Sequence, residues 1–146
     1  MSLEKNKAII HKAIEALNER NLDALDELYA SDCVDHTRQL HGLDAVKRYM
    51  NMLFNSSSDF HGTIEDIIAE GDKVWIRVTY TGTHTGELRG LAPTGEKIKN
   101  TSIDVYRIVD GKVMDGWSFL ELYSHLEFFK KLGVIDYKGF PDEKVS

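Results

Sequence analysis

Two carboxylates and two large aromatic side chains occupy every second position of the segment from Asp115 to Glu121. Alternate side chains of an extended strand share one face, so Trp117 and Phe119 would lie on the same side as these carboxylates. If that face looks inward, the aromatic rings form apolar walls of a small-molecule pocket and Glu121 supplies a carboxyl group for acid/base chemistry. The alternative is that both rings are ordinary core and Glu121 caps the helix that follows.

A second candidate for acid/base chemistry is His36, which directly follows Asp35 on a short segment with the character of a strand. Histidine titrates closest to neutrality of all side chains, and a neighbouring carboxylate can tune its protonation. We therefore expect His36 to act with Glu121 in catalysis. A histidine in a surface loop is the competing interpretation.

The dipeptide Asp110-Gly111 is typical of a two-residue type I′ hairpin turn, which would pair Val109 with Lys112. Continued without interruption, this register sets one polar residue opposite each residue of the expected pocket face. The resulting pairs are Asn100 with Glu121, Ser102 with Phe119 and Asp104 with Trp117. A single bulged residue would shift the whole pattern by one position.

Further candidates for substrate contact lie on and just after the strand Lys73–Thr83. Arg77 could hold a carboxylate or ester oxygen, although an arginine on an open sheet face more often forms an ion pair at the surface. Tyr80, on the opposite face, could polarise a carbonyl group. The full set expected to bind substrate is Trp117, Phe119, Asn100, Asp104, Tyr80, Arg77 and His84.

Helical and strand-like patterns divide the chain into two halves. Apolar residues recur at helical spacing from Leu3 to Arg20, from Leu22 to about Ser31, from Leu43 to Phe54 and from Tyr123 to Leu132. A short extended segment covers Cys33–His36, and long strands are predicted over Phe60–Ala69, Lys73–Thr83, Lys97–Val109 and from Lys112 to about Leu122. Helices first and strands afterwards indicate an α+β fold, in which a curved antiparallel sheet wraps the helices like a cone.

Length and composition favour one domain of 146 residues, with a core over about 3–133 and an extension over 134–146. The lone Cys33 is expected to be a buried apolar residue. A net charge of −6 without a basic stripe argues against nucleic acid and anionic membranes as partners. The charged N-terminal segment resembles neither a signal peptide nor a membrane span, so we expect a cytoplasmic protein.

Two patterns suggest other chemistry but lack its essential residues. The segment Gly90–Lys97 approaches a phosphate-binding loop, yet Glu96 stands where lysine is required. The six histidines show no zinc-binding spacing, and we therefore expect no metal site.

Three motifs together resemble one family: Gly-Thr-His-Thr-Gly over Gly82–Gly86, Pro-Thr-Gly over Pro93–Gly95, and Asp-Gly-Lys-Val-x-x-x-Trp-x-x-x-Glu over Asp110–Glu121. The pattern Asn-x-x-x-Leu-Asp-x-Leu-Tyr over Asn21–Tyr29 agrees with them. From Ala8 to Gly133 the chain resembles the SnoaL-like polyketide cyclases, or ester cyclases, of the nuclear transport factor 2-like superfamily. This resemblance implies a cystatin-like α+β barrel with a C-terminal helix.

The resemblance also implies a reaction: intramolecular aldol ring closure without metal or cofactor, using a pocket acid that matches Glu121. Here Glu121 replaces the aspartate of the cyclases. The strand Lys97–Val109 also lacks the histidine that the cyclases use on the adjoining strand. The alternatives are a non-catalytic binder of small hydrophobic molecules, a steroid isomerase and an epoxide hydrolase whose Arg77 would act with Asp104 or Asp59. A homodimer is expected from the frequency of two-fold assemblies.

Overall fold

The computed structural model describes the backbone of residues 2–136 and their side chains other than those of residues 122–125 and 128. The helices are α1 (Leu3–Asn18), a 3-10 turn (Leu22–Ala24) running into α2 (Leu25–Leu28), α3 (Leu43–Ser56) and α4 (Leu122–Lys131). The strands are β1 (Tyr29–Asp35), β2 (Leu40–His41), β3 (His61–Glu70), β4 (Lys73–Thr83), β5 (Lys97–Val109) and β6 (Lys112–Leu120). The expected C-terminal extension lies mostly outside the described residues.

Helix α1 forms where the sequence predicts it, because capping and amphipathicity agree. The Ser2 side chain accepts a hydrogen bond from the backbone N–H of Lys5, and Glu4 lies in the first turn, where a negative charge complements the helix dipole. Ile10 and Ile14 are buried on the opposite face. This face packs against β3 and β4 and closes one side of the core.

The second predicted helix is shorter than expected. The Asn21 side chain makes no capping hydrogen bond among the described residues, and the helical stretch reaches only Leu28. Tyr29 already has extended backbone angles and begins β1, whose Tyr29 and Cys33 side chains are buried in the core. Burial in the sheet therefore ends the helix earlier than its apolar spacing indicates.

A six-stranded sheet with the order β2-β1-β6-β5-β4-β3 provides the frame of the molecule. Strands β3 to β6 are antiparallel neighbours, as predicted from their tight turns. The α+β prediction is confirmed, with one difference: β1 runs parallel to β6, so the sheet is mixed. Its concave face carries Val74, Ile76 and Val78 into the core.

The hairpin between β5 and β6 contains a β-bulge that corrects the predicted register. Asp110 and Gly111 have positive φ and pair Val109 with Lys112, as expected for a type I′ turn. After the pair Ile108–Val113, however, Arg107 lies opposite Asp115, which leaves Met114 without a partner in the ladder. The three predicted pairs between Asn100–Asp104 and Trp117–Glu121 are therefore wrong by one position.

Burial explains why the bulge is favourable. Without it, strict alternation would direct Asp115 to the same concave face as Val113, which is 1% exposed. The extra residue turns Asp115 outward, where its Oδ2 accepts a 2.6 Å hydrogen bond from Nε of Arg107. Beyond the bulge, Gly116, Ser118 and Leu120 share the concave face with Asp104.

No helix within residues 2–136 is long and apolar enough to cross a membrane.

Candidate active site

A cavity of about 890 Å³ lies between the concave face of the sheet, helices α1, α3 and α4 and the loop between β4 and β5. Most of its wall is apolar. Side chains that illustrate this are Ile14, Leu17, Met50, Leu53, Phe60 and Leu88. A cavity of this volume is in the range that accommodates a drug-sized organic molecule.

Asp104 places a carboxylate in this apolar wall. The residue is only 3% exposed, and the odd–even alternation of β5 directs it inward beside Ser102. Its Oδ1 accepts a 2.6 Å hydrogen bond from the Ser102 hydroxyl, and its Oδ2 accepts a 2.7 Å hydrogen bond from the Tyr80 hydroxyl. A buried carboxylate held by two donors is a positioned acid/base group.

Burial keeps the neighbouring phenols protonated. It raises the pKa of Tyr80 well above the ordinary value of 10, and the Asp104 carboxylate raises it further. The same causes raise the pKa of Tyr106, which also lines the cavity. Both phenols therefore remain hydrogen-bond donors across the physiological pH range.

Arg38 supplies a positive charge to the cavity wall. Its Nη1 donates to Oδ2 of Asp35 at 2.9 Å and to the Ser118 hydroxyl at 3.0 Å, while its guanidinium lies 4.8 Å from the centre of the Tyr49 ring. Burial alone would lower the pKa of Arg38, but Tyr49 and Asp35 outweigh it and raise that pKa. Arg38 is therefore a fixed cation.

The turn after β1 explains how Arg38 reaches this position. Oδ1 of Asp35 accepts hydrogen bonds from the backbone N–H groups of Thr37 and Arg38, both at 3.0 Å. This local arrangement is an Asx-type turn. The turn reverses the direction of the chain and brings the Arg38 side chain next to the Asp35 carboxylate. The spacing Asp-x-x-Arg was the available sequence signal for this cation, and our prediction overlooked it.

The bulge places Trp117 and Phe119, the expected pocket face of β6, on the outer side of the sheet. Trp117 still borders the cavity, and its ring stacks on His36 with 4.9 Å between ring centroids and 13° between planes. Phe119 is 58% exposed and does not line the cavity, which corrects its predicted position. Glu121 is exposed at the end of β6, where its backbone N–H donates to the Thr101 carbonyl, so its expected place inside the pocket is wrong as well.

His36 lies outside the cavity wall, in a charged cluster on the outer side of the sheet. Its Nε2 lies 2.7 Å from Oδ1 of Asp115, whose other oxygen is bonded to Arg107. Burial opposes the ionisation of Asp115, but the hydrogen bonds from His36 and Arg107 lower its pKa. The contacts of His36 therefore join β6 to the turn that follows β1.

Arg77 also faces outward, and its Nε donates a 2.7 Å hydrogen bond to Asp66. It does not line the cavity, which corrects its expected role in binding substrate there. Asp104 lies on the opposite face of the sheet, and Asp59 accepts hydrogen bonds from Thr83. The aspartate-arginine-aspartate set required by the hydrolase alternative is therefore not assembled around Arg77.

Tyr80, Asn100 and His84 lie together at one end of the cavity. Asn100 is directly opposite Tyr80 in the β4–β5 ladder, and both residues line the main cavity. His84 is 1% exposed and lines an adjoining side pocket of about 80 Å³. Within the described part of the chain, no three histidine, cysteine, aspartate or glutamate side chains form a possible metal site.

Known proteins resemble this chain in both sequence and fold. It is 28% identical over 115 residues to aklanonic acid methyl ester cyclase DauD of Streptomyces sp. strain C5, covering 73% of this chain and 70% of the relative. It is 24% identical over 107 residues to nogalonic acid methyl ester cyclase of Streptomyces nogalater, covering 70% and 80%. AclR of Streptomyces galilaeus, a suggested hydroxylase, has a TM-score of 0.81 at 26% identity, covering 93% of this chain and 89% of that chain.

These similarities confirm the predicted fold and the resemblance read from the motifs. The profile of the SnoaL-like polyketide cyclases matches residues 7–127, a span that includes every strand of the sheet. The chain belongs to the SnoaL-like polyketide cyclase family.

Proposed function

We propose that this protein is a cofactor-independent cyclase that closes a ring by aldol-type chemistry on a small, mostly apolar carbonyl or ester compound. The observation that carries the proposal is the buried Asp104 carboxylate, fixed by Tyr80 and Ser102 in the wall of an apolar cavity. We assign the acid/base role to Asp104 rather than to Glu121, because the Glu121 side chain is exposed and outside the cavity lining.

The proposed reaction moves one proton and forms one carbon–carbon bond. An Asp104 oxygen removes a proton from a carbon next to a carbonyl, and the resulting enolate carbon attacks a second carbonyl carbon in the same molecule. The proton then passes to the new alkoxide oxygen, which leaves a ring bearing a hydroxyl group. Arg38 lines the same cavity and can stabilise the developing oxyanion.

The relatives indicate the substrate class. Their names specify aklanonic and nogalonic acid methyl esters, and the cavity of about 890 Å³ is large enough for a compound of several rings. A large apolar wall with few polar groups suits a polycyclic ester, because the wall provides affinity and the polar groups fix orientation. We therefore propose a methyl ester of a polyketide acid as substrate.

The direct test compares Asp104→Asn with Glu121→Gln on aklanonic acid methyl ester. Consumption of the ester and deuterium uptake at its acidic carbon in D₂O are followed by mass spectrometry and NMR. We expect the Asp104 variant to lose about 10²–10⁴-fold in rate and the Glu121 variant to stay near wild type. Circular dichroism of both variants verifies folding.

The opposite pattern, with activity lost only in Glu121→Gln, would refute the assignment of Asp104. Binding of the ester by the wild-type protein without deuterium uptake or ring closure would identify a non-catalytic binder. Either result is informative because Asp104 lines the cavity and Glu121 does not.

An isomerase is the second candidate, and the Tyr80–Asp104 pair specifically favours it. A tyrosine hydrogen-bonded to a buried acid is the arrangement that the isomerase alternative requires in its pocket. The product distinguishes the two reactions, since an isomerase moves a double bond without forming a carbon–carbon bond. Proton and carbon NMR of the product therefore decides between them.

We also propose that two copies associate through the outer face of the sheet. Ile68 is 65% exposed and Trp75 is 47% exposed, and the two residues are neighbours across β3 and β4. Phe119, on β6 of the same outer face, is also exposed. Exposed apolar patches of this kind are typical of interaction sites, and a second copy presents the same patch under two-fold symmetry.

Light scattering coupled to gel filtration tests the dimer over a range of protein concentrations. We expect Trp75→Lys to give a monomer, whereas Leu3→Lys, at a similarly exposed apolar residue of α1, leaves the dimer intact. A wild-type monomer at all concentrations would refute the proposal.

A further inference from the structure

His84 is a buried polar residue with half of its hydrogen-bonding capacity unused. Its Nδ1 lies 2.9 Å from the Thr94 hydroxyl and 3.3 Å from the Thr94 backbone nitrogen. Its Nε2 has no hydrogen-bond partner among residues 2–136. Buried polar atoms without a partner are rare in proteins, and each requires an explanation.

The contacts of Thr94 determine which ring nitrogen carries the proton. A backbone N–H can only donate, so Nδ1 of His84 must accept from it. The Thr94 hydroxyl accepts from the backbone N–H of Glu96 and is therefore able to donate its own hydrogen to the same Nδ1. With Nδ1 as acceptor, the ring hydrogen lies on Nε2, and the unpartnered atom is a donor.

Hydrogen bonds hold the backbone on both sides of His84 in place, and Thr94 holds its ring. The N–H of His84 donates to the Glu96 carbonyl and its carbonyl accepts from Gly95, both at 2.9 Å. The N–H groups of Thr85 and Gly86 both donate to the Ser56 carbonyl at the end of α3. The ring is thus pre-positioned, so a ligand that uses Nε2 pays little ordering entropy.

The side pocket next to His84 adjoins the main cavity. Residues shared by the walls of the side pocket and the main cavity are Leu53, Phe60, Tyr80, Leu88 and Asn100. Its volume of about 80 Å³ is roughly half that of an engineered cavity that binds benzene, about 150 Å³. The pocket therefore takes a small substituent and not a further ring.

Two serine hydroxyl groups of this pocket are committed elsewhere. The Ser56 hydroxyl donates to the Leu53 carbonyl, and the Ser57 hydroxyl donates to Asp59. The Nε2 hydrogen of His84, which has no such partner among residues 2–136, is suited to meet an incoming acceptor oxygen.

We infer that the side pocket binds the carbonyl end of a small ester or ketone substituent, with His84 Nε2 as its hydrogen-bond donor. This inference rests on the proposed function, since it assigns one end of the proposed substrate to a defined place. His84 then acts as a positioning residue that sets which carbon of the substrate approaches Asp104.

The test uses two probes of matched size, methyl 2-naphthoate and 2-sec-butylnaphthalene, which differ in whether an acceptor oxygen is present. Long-range ¹H–¹⁵N NMR of the wild-type protein reports the protonation of each histidine ring nitrogen, and His84→Asn assigns the signals. We expect Nε2 to carry the hydrogen, and its signal to move with the ester and not with the hydrocarbon.

Two variants separate the functions of the two ring nitrogens. His84→Asn retains an acceptor near the Nδ1 position and removes the donor, so its affinity for the ester should fall about tenfold while hydrocarbon affinity is unchanged. His84→Gln places an amide donor near the Nε2 position, and we expect it to recover most of the ester affinity.

Three results would overturn the inference: hydrogen on Nδ1, an Nε2 signal insensitive to the ester, or equal effects of His84→Asn on both probes. An insensitive Nε2 signal would mean that only an ordered water occupies the side pocket. If a variant fails to fold, the NMR titration of the wild-type protein with the two probes still decides the question. Repeating the titrations in Asp104→Asn separates the two proposals, because ester binding through His84 does not require turnover.

Discussion

The Tyr80 hydroxyl reaches along the concave face of the sheet to donate a 2.7 Å hydrogen bond to Oδ2 of Asp104. The two residues are not cross-strand partners, since Tyr80 pairs with Asn100 and Asp104 pairs with Ile76. The bond therefore spans the four positions of β5 between Asn100 and Asp104. It fixes the carboxylate from one side while Ser102 fixes it from the other.

Replacing Tyr80 by phenylalanine should lower kcat about tenfold, because one hydrogen bond to a charged group is lost while the ring is retained. Steady-state kinetics on the proposed ester substrate measures this effect. Tyr106→Phe is the matched control, since it removes a phenol from the same cavity without removing the Tyr80–Asp104 bond. An equal loss in both variants would contradict a specific role for Tyr80.

Replacing Arg38 by methionine should lower the rate about 10²–10³-fold, because the cation that stabilises the oxyanion is lost. Arg38→Lys keeps the charge without the planar guanidinium and should show a smaller loss. Thermal melts run alongside the kinetics are needed because both changes disturb the ion pair with Asp35. Wild-type rates in a folded Arg38→Met protein would exclude Arg38 from the reaction.

The contacts of the Asp115 carboxylate should make the folded protein less stable at acidic pH than at neutral pH. Its contacts with His36 and Arg107 lower its pKa in the folded state, so their contribution is complete above the unfolded value of about 3.9 and is lost as the pH falls through the folded value. Asp115→Asn should cost of the order of 1 kcal/mol in unfolding free energy at pH 6. Urea titrations at several pH values should show this difference shrinking as the pH falls below about 4. A pH-independent difference would contradict this prediction.

Gly86→Ala should destabilise the fold by about 1–3 kcal/mol, because the added methyl group would collide with the backbone carbonyl of Asn55. Gly116→Ala is a suitable control, since its methyl group would meet only ordinary contacts with Tyr106 at 3.7 Å or more. Thermal denaturation of the two variants compares them directly. Similar melting temperatures would show that the loop can move away from α3.

The regular parts of the fold were accessible from the sequence. The bounds of Lys73–Thr83 and Lys97–Val109 agree with the structure, because alternating β-branched residues between clear turn signals leave little freedom. The two-residue strand β2 was missed, as its length is too short for any periodic signal. The parallel pairing of β1 with β6 joins residues about 80 positions apart, which local patterns do not encode.

The candidate site was only partly accessible for the same reason. Tyr80, Asn100 and Asp104 line the cavity, but Glu121 and Phe119 were assigned to it on the assumption that their face of β6 looks inward, and the bulge turns that face outward. A bulge has no strong sequence signature when the extra residue is an ordinary one such as Met114. The contact of Arg38 with Ser118 depends on tertiary folding and could not be found from spacing alone.

The bulge at Met114 has a consequence for how such proteins diverge. The extra residue is absorbed at this one position, and the pairs from Arg107–Asp115 onward continue as a regular ladder. Deletion of Met114 would therefore keep Trp117 and Phe119 on the outer surface and Gly116, Ser118 and Leu120 on the inner one. A hairpin with such a bulge can thus gain or lose one residue during evolution without exchanging the two faces of the sheet.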